Sequence, residues 1–480
     1  MSVEHLDVLI IGAGLSGIGA ACHLKRLCPG KRFAILEGRE AMGGTWDLFR
    51  YPGIRSDSDM YTLGYSFRPW TDPQAIADGP SIRRYIEDTA REHGVDSLIR
   101  YRHRVLRAEW DSAQALWTLQ VQRGEEAEPV QLRCRMLVLC TGYYRYEAGY
   151  TPEFAGREAY QGTFIHPQQW PEGFDHSGKR VLVIGSGATA VTLVPALAER
   201  AAQVTMLQRS PSYVINLPQR DALSNALRRV LPEKWVYRLA RGRNVTLQLV
   251  FYTLAKRFPN LVRRILLGLV RRQLGEVDLR HFSPSYKPWD QRVCAVPDGD
   301  LFAALRSGRA QIVTEQIDTF TEQGVRLRSG QELTADTIVS ATGLELQLFG
   351  GLQLVVDGRP FVAAESMGYR GLMLRDLPNA VMILGYTNAS WTLKADLSSQ
   401  YLCRLIRHMD AHGQRQVTPR QHGAVGKAPF LDLKSGYIER AAHLLPSQGD
   451  RMPWKVYQNY LLDLILLRHG RLEDGSLEFR

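Results

Sequence analysis

A chain of 480 residues and 54.2 kDa is too long for a single core, and the usual domain size allows about two to four domains. Hydrophobic residues at 45% and charged residues at 23% exclude disordered and fibrous classes, and six scattered cysteines with no Cys-x-x-Cys pair support neither a disulfide framework nor a metal site. The net charge of +11 is local, because residues 220–280 hold fourteen basic and four acidic side chains; with no recognition motif beside it, nucleic-acid binding is not expected.

The N-terminal sequence MSVEHLDVLIIGAG has neither a basic leader nor a small-residue cleavage site. Its apolar run therefore reads as a buried strand, and a cytoplasmic protein is expected. No apolar run approaches the roughly 18 residues of a spanning helix. A strand at 7–11 runs into Gly12-Ala-Gly14-Leu-Ser16-Gly17, a helical pattern follows over 18–27, and a second apolar strand at 33–36 ends in Glu37. That order is a dinucleotide fingerprint: glycines allow a tight turn and close pyrophosphate approach, the helix N-terminus faces the phosphates, and the acid takes a ribose hydroxyl. Glu37 favours the adenosine half of FAD or NAD over a 2′-phosphate.

Residues 43–57, GGTWDLFRYPGIRSD, combine glycines, a Tyr-Pro-Gly turn and charges, too much turn chemistry for the interior of a helix or strand. They read as a loop walling the isoalloxazine end of a flavin, with Gly44, Thr45, Trp46 and Asp57 as candidate contacts. A supporting strand at 136–139 then leads into Cys140-Thr-Gly142.

The fingerprint recurs. A strand at 180–184 precedes Gly185-Ser-Gly187-Ala188-Thr189-Ala190 and a helix, and the next strand, 204–207, ends in Gln208-Arg209-Ser210 where the first unit has its acid. Arg209 can pair with a 2′-phosphate and Ser210 can hydrogen-bond to it, so this turn reads as an NADPH site. Two such units, one acidic and one basic, point to electron transfer from NADPH to FAD.

From 221 to 275 apolar residues recur at helical spacing between arginines. Two readings stand: a helical cap over a substrate tunnel with its arginines solvated, or peripheral association with anionic lipid. A final apolar strand at 337–341 meets Thr342-Gly343, repeating the earlier crossing. The fold class expected is α/β, two Rossmann-like dinucleotide-binding domains with a helical insertion. The expected order is FAD domain over 1–145, NADPH domain over 146–220, insertion over 221–280, NADPH domain again over 281–331, and FAD domain with the C-terminal region over 332–480.

The absence of a redox-active cysteine pair excludes disulfide reductases, which share this scaffold. Between the nucleotide units lies Tyr160-Gln-Gly162-Thr-Phe-Ile-His166-Pro-Gln-Gln-Trp170-Pro171. This resembles the F-x-G-x-x-x-H-x-x-x-W-P/D fingerprint of the Baeyer-Villiger monooxygenases within the flavin-containing monooxygenase superfamily, with Tyr160 in place of Phe. Gly43, Gly44, Trp46, Tyr51, Pro52, Gly53 and Asp57 match the family's second signature, and the likeness continues through residues 341–343 and 385–396.

The resemblance implies FAD and NADPH as cofactors and a flavin C4a-peroxide, kept anionic, that converts ketones to esters or lactones with dioxygen. Sulfur compounds such as thioamides are further substrates of the same oxidant. It also implies Arg292 as the active-site cation, Asp57 as the carboxylate that orients it, and Gly162, His166 and Trp170 as a domain-coupling signature. Gln291 departs from the family's usual Lys. Read without the resemblance, Arg292 is more simply a surface partner of Asp290. The rival functions are a flavin monooxygenase acting mainly on sulfur or nitrogen nucleophiles and, more distantly, an NADPH-binding regulatory flavoprotein.

Overall fold

The computed structural model describes residues 3–126 and 128–480. The strand Glu4–Ile11 is buried from Val8 onward on both faces, as expected for a central strand of a parallel sheet. It pairs in parallel with Phe33–Leu36 on one side and Val130–Leu139 on the other, so Leu36, Ile11 and Leu139 end in register. The glycine turn therefore leaves the C-terminal edge of the sheet, where such folds bind ligands. Late segments complete this nine-stranded sheet: Ala380–Met382 pairs with Val130–Leu139, and Gln353–Val356 pairs with His103–Asp111. The first unit is thus assembled from both ends of the chain.

The second sheet has five parallel strands in the order Ala310–Thr314, Gln203–Gln208, Arg180–Ile184, Thr337–Ser340, Thr163–Ile165. It takes in Thr337–Ser340, whereas the sequence reading ends the NADPH unit at 331. The proposed crossover back to the FAD unit accordingly moves to the Ala341-Thr-Gly turn, because those four residues pair with Arg180–Ile184 along their whole length.

The basic segment forms the helices Ala222–Leu227, Glu233–Arg257 and Pro259–Leu274, set between the paired strands Val214–Leu217 and Cys294–Pro297. Its long helix crosses to the first unit. The Tyr237 hydroxyl donates to the Tyr65 carbonyl at 2.8 Å, and Arg241 donates to the carbonyls of Tyr61 and Gly64 at 2.8 Å each. Arg228 likewise donates to Trp70 and Asp72 carbonyls. These arginines stitch two units together, which corrects the expectation that the segment's arginines are uniformly solvated.

Helix Trp391–Ala411 lies against Leu15–Leu27, and both bury apolar faces in one cluster. Its polar interior is paired. Lys394 Nζ meets Asp463 at 2.7 Å with both side chains 4% exposed, and the Tyr386 hydroxyl donates to the same carboxylate oxygen at 2.6 Å. His23 of the first helix meets Asp396 at 3.2 Å. Removing one partner of a buried pair strands the other charge. Lys394→Met is therefore expected to cost about 3–5 kcal/mol and to lower the midpoint of thermal unfolding; an unchanged midpoint would contradict the role of this pair.

Candidate active site

The geometry of the site starts from two glycines. Gly12 has φ +104° and Gly185 φ +139°, values that side-chain-bearing residues rarely adopt. A Cβ on Gly12 would lie 2.6 Å from the Cys140 carbonyl oxygen, and one on Gly185 would lie 2.4 Å from that of Ala341. Each glycine turn is thus pressed against the residue opening a Thr-Gly crossing. Gly17 closes the first turn, since a Cβ there would strike the Gly12 oxygen at 1.9 Å.

Helices Leu15–Leu27 and Ala188–Leu197 start at Gly14 and Gly187, neither with a side-chain cap. Their leading N–H groups are left for a ligand, the arrangement that suits a phosphate. The space around Gly187 and Gly142 is open, with no atom within 4 Å of a notional Cβ. The residues present therefore fit two dinucleotides.

One cavity joins the two units. Of the expected contacts it is lined by Gly14, Ser16, Gly44, Thr45, Trp46, Asp57, Ala188, Thr189 and Arg292. The stretch 43–57 spans the gap physically: Gly44 touches Gly14 of the first turn, whereas Phe49 and Tyr51 belong to the core of the second unit. Arg55 pairs with Asp300 of that unit.

Asp57 and Arg292 are half-buried and share this cavity. Burial pushes the Asp57 carboxyl above its ordinary range, and the positive charges of Arg292 and Arg55 pull against that shift. Burial works against the Arg292 guanidinium, yet Asp57 and then the hydroxyls of Tyr143, Tyr437 and Tyr144 hold it more firmly charged than usual. Asp290 turns elsewhere, 3.9 Å from Lys256.

The remaining candidates lie outside the cavity. Glu37 is buried and accepts from the Ala13 and Arg39 amides at 2.8 and 2.9 Å, so it braces the first turn. Arg209 and Ser210 are exposed at the end of Gln203–Gln208, where the Ser186 hydroxyl donates to the Ser210 carbonyl at 2.8 Å. His166 Nδ1 accepts from the Gln168 amide at 3.2 Å and its Nε2 donates to the Gly343 carbonyl at 3.0 Å. Burial lowers its pKa, against the opposing pull of the Gly343 and Tyr150 carbonyls. Gly162 is required for close packing, as a Cβ would lie 2.8 Å from the Asp336 oxygen. The Tyr160 hydroxyl, absent from the family's usual Phe, donates to the Ala335 carbonyl at 3.0 Å. Trp170 packs edge-on against Phe174 at the second core.

Several neighbours escape sequence reasoning. The Trp391 indole donates to Ser16 Oγ at 2.7 Å, a contact over 375 residues that no local pattern announces. Asp47 is buried among Arg39, Arg50 and Arg83 at 2.6, 3.3 and 2.9 Å. Tyr143 and Tyr144 directly follow the first Thr-Gly crossing, a position that flags them once the crossing is seen to face the cavity.

Comparison with known proteins agrees with this architecture. Residues 72–348 match the flavin-binding monooxygenase-like family, and residues 10–78 match an NAD(P)-binding Rossmann-like domain. The chain is 53% identical to the putative FAD-containing monooxygenase MymA of Mycobacterium tuberculosis, covering 99% of this chain and 98% of that one. It is 52% identical, with the same coverages, to the FAD-containing monooxygenase EthA of that organism. Among solved structures, an oxidized steroid monooxygenase bound to NADP superposes with a TM-score of 0.78 at 23% identity over 99% of both chains, a likeness of fold. Identity above one half across the whole chain, together with a family match over more than half of it, leaves one conclusion: the protein belongs to the flavin-binding monooxygenase-like family.

Proposed function

We propose that the protein is an NADPH- and dioxygen-dependent FAD monooxygenase of the Baeyer-Villiger type, converting ketones to esters or lactones and oxidising sulfur compounds such as thioamides. The observation that carries this reading is the guanidinium of Arg292, which shares the cavity between two glycine turns with Asp57 and is held charged by it. When bound and reduced, FAD supplies the activated oxygen that is transferred. The protein supplies the rest. The helix N-terminus beyond Gly14 holds the FAD pyrophosphate and Glu37 a ribose hydroxyl, while Gly44, Thr45 and Trp46 wall the ring end. The turn 185–190 holds the NADPH pyrophosphate, and Arg209 with Ser210 takes the 2′-phosphate.

Arg292 offers a positive charge that no working pH removes. Negative charge developing on an oxygen in this cavity is stabilised without reorganisation, the condition under which such contacts are worth most. Asp57 limits and orients that charge, and the tyrosines exclude water. His166 couples the linker to domain movement rather than transferring a proton, a role that its hydrogen bond to the Gly343 carbonyl supports. Trp170 at the end of the signature favours the Baeyer-Villiger reading over a monooxygenase limited to sulfur and nitrogen nucleophiles.

We also infer peripheral association with anionic membranes through residues 221–280. No helix of the described residues is long and apolar enough to cross a membrane. Yet eleven of the nineteen large apolar side chains exposed among the described residues fall in this segment, including Trp235 at 56%, Leu247 at 60%, Phe258 at 50% and Ile265 at 52%. Such a patch interleaved with arginines fits an interfacial surface.

Three outcomes follow. Arg292→Ala should reduce FAD with NADPH at close to the wild-type rate without oxygen but lose ester formation by about 100-fold or more, read by product mass; full ester yield would refute the assignment. Arg209→Ala should raise the apparent KM for NADPH by about 10- to 100-fold, the worth of charged hydrogen bonds, with NADH unaffected. Equal losses with both cofactors would remove the phosphate clamp. The protein should sediment with phosphatidylglycerol vesicles at low salt and be released at high salt, and Leu254→Glu with Ile265→Glu should abolish this; no sedimentation at low salt would dismiss lipid binding.

A further inference from the structure

A second, larger cavity of about 690 Å³ lies between the long helix Glu233–Arg257 and the C-terminal residues 428–459. Leu249, Tyr252 and Thr253 of the helix form one wall; the other sets Leu433, Ile438 and Val456 among charged side chains that include Asp432, Lys434 and Lys455. Its size falls within the range of small-molecule sites, about 300–1,000 Å³. Nothing in the cofactor chemistry uses it.

One packed cluster of side chains separates the cavity from the flavin chamber. Leu433 and Ile438 pack in one cluster with Tyr143, Tyr144 and Tyr437, and Tyr143 and Tyr144 line the chamber that holds Arg292. The layer is ordered by its own contacts: the Tyr144 hydroxyl donates to that of Tyr143 at 3.1 Å, the Tyr144 and Tyr437 rings stand 6.4 Å apart, and Tyr143 stacks on Trp391 at 5.5 Å.

The outer wall is also tied to the loop that carries Arg292. The Lys434 amide donates to the Asp290 carbonyl at 2.7 Å. Lys256 of the long helix donates to the Trp289 carbonyl at 3.3 Å and lies 3.8 Å from Asp432 and 3.9 Å from Asp290. Displacing the wall at 432–434 therefore pulls on residues two and three positions before Arg292. On the same turns of the helix, Leu247, Val250 and Leu254 face outward and are exposed.

We propose that this cavity is an antechamber that binds the aliphatic chain of an apolar substrate, with Tyr437 and its two neighbours as the inner door to the flavin chamber. Half of the lining residues are aliphatic or aromatic, and the side built by Leu249, Leu433, Ile438 and Val456 gives a long apolar chain more surface to bury than a short ketone has. The helix that forms one wall also carries the exposed Leu247, Val250 and Leu254, an apolar surface on which a lipid-dissolved compound would arrive. The identity of the reacting group, a ketone or sulfur compound, rests on the function proposed above; the chain-binding role does not.

Equilibrium binding to the full-length, FAD-loaded protein tests this with decyl methyl ketone and butanone as probes. The wild type should bind the long ketone more tightly. In Ile438→Trp, which fills the cavity, and in Thr253→Trp, at its exposed rim, the affinity ratio of long to short ketone should fall about tenfold or more, the discrimination a filled apolar subsite loses. Thr253→Trp keeps the test available if Ile438→Trp does not fold. An unchanged ratio in a folded variant, or equal wild-type affinity for both ketones, overturns the proposal. Ester yield from the wild type, read in parallel, bears only on the Baeyer-Villiger reading: binding selectivity lost in the variants with no ester formed would uphold the antechamber and reject that reaction.

Discussion

The structure depends on one contact made twice. In each nucleotide unit the first glycine of the turn lies against the backbone carbonyl that opens a Thr-Gly crossing, Cys140 for Gly12 and Ala341 for Gly185. A methyl group at either place would force the strand and the crossing apart. Because the contact holds the turn at the C-terminal edge of its sheet, it also fixes where each uncapped helix begins and hence where a phosphate can be met by free N–H groups. The repetition sets the two sites facing a shared space, and the loop 43–57 fills the seam, with Gly44 and Trp46 on one unit and Phe49, Tyr51 and Gly53 on the other.

That seam concentrates charge where water is scarce. Asp47 is surrounded by three arginines near the first turn, and Asp57 stands in the cavity with Arg292. Buried charges persist only when compensated; here Asp47 has more positive charge around it than it can neutralise, while Asp57 has Arg292 and the Asp300-paired Arg55 near it. The surplus suits anionic ligands: pyrophosphates at the turns and a developing oxyanion at Arg292. The tyrosines around Arg292 lower the local polarity without removing its charge, which increases the worth of any interaction it makes.

Much of this was legible in the residues. Both fingerprints carry the order strand, glycine turn, helix, strand, and their edge residues Glu37 and Arg209 differ in sign, so two different nucleotides could be expected before any coordinates. The discontinuous first unit was visible in the paired strands that run into Thr-Gly turns. The strand Thr337–Ser340 was harder to place, because an apolar run of four residues does not reveal which sheet it joins. Helical periodicity shows the polar face on which most of the insertion's arginines are exposed, but not the backbone carbonyls of Tyr61, Gly64 and Trp70 that receive Arg228 and Arg241. Trp391 on Ser16 and Tyr437 beside Arg292 depend on long-range packing, and short-range pattern carries no trace of them.

The central claim is that the Arg292 cavity transfers one atom of dioxygen to a carbonyl compound at the expense of NADPH. Turnover of a ketone under isotopically labelled dioxygen, followed by mass analysis of the product, tests it most directly. The account predicts an ester or lactone carrying one labelled oxygen atom for each NADPH consumed. NADPH consumption that delivers the label only to hydrogen peroxide and water, with the ketone recovered unchanged, would contradict it.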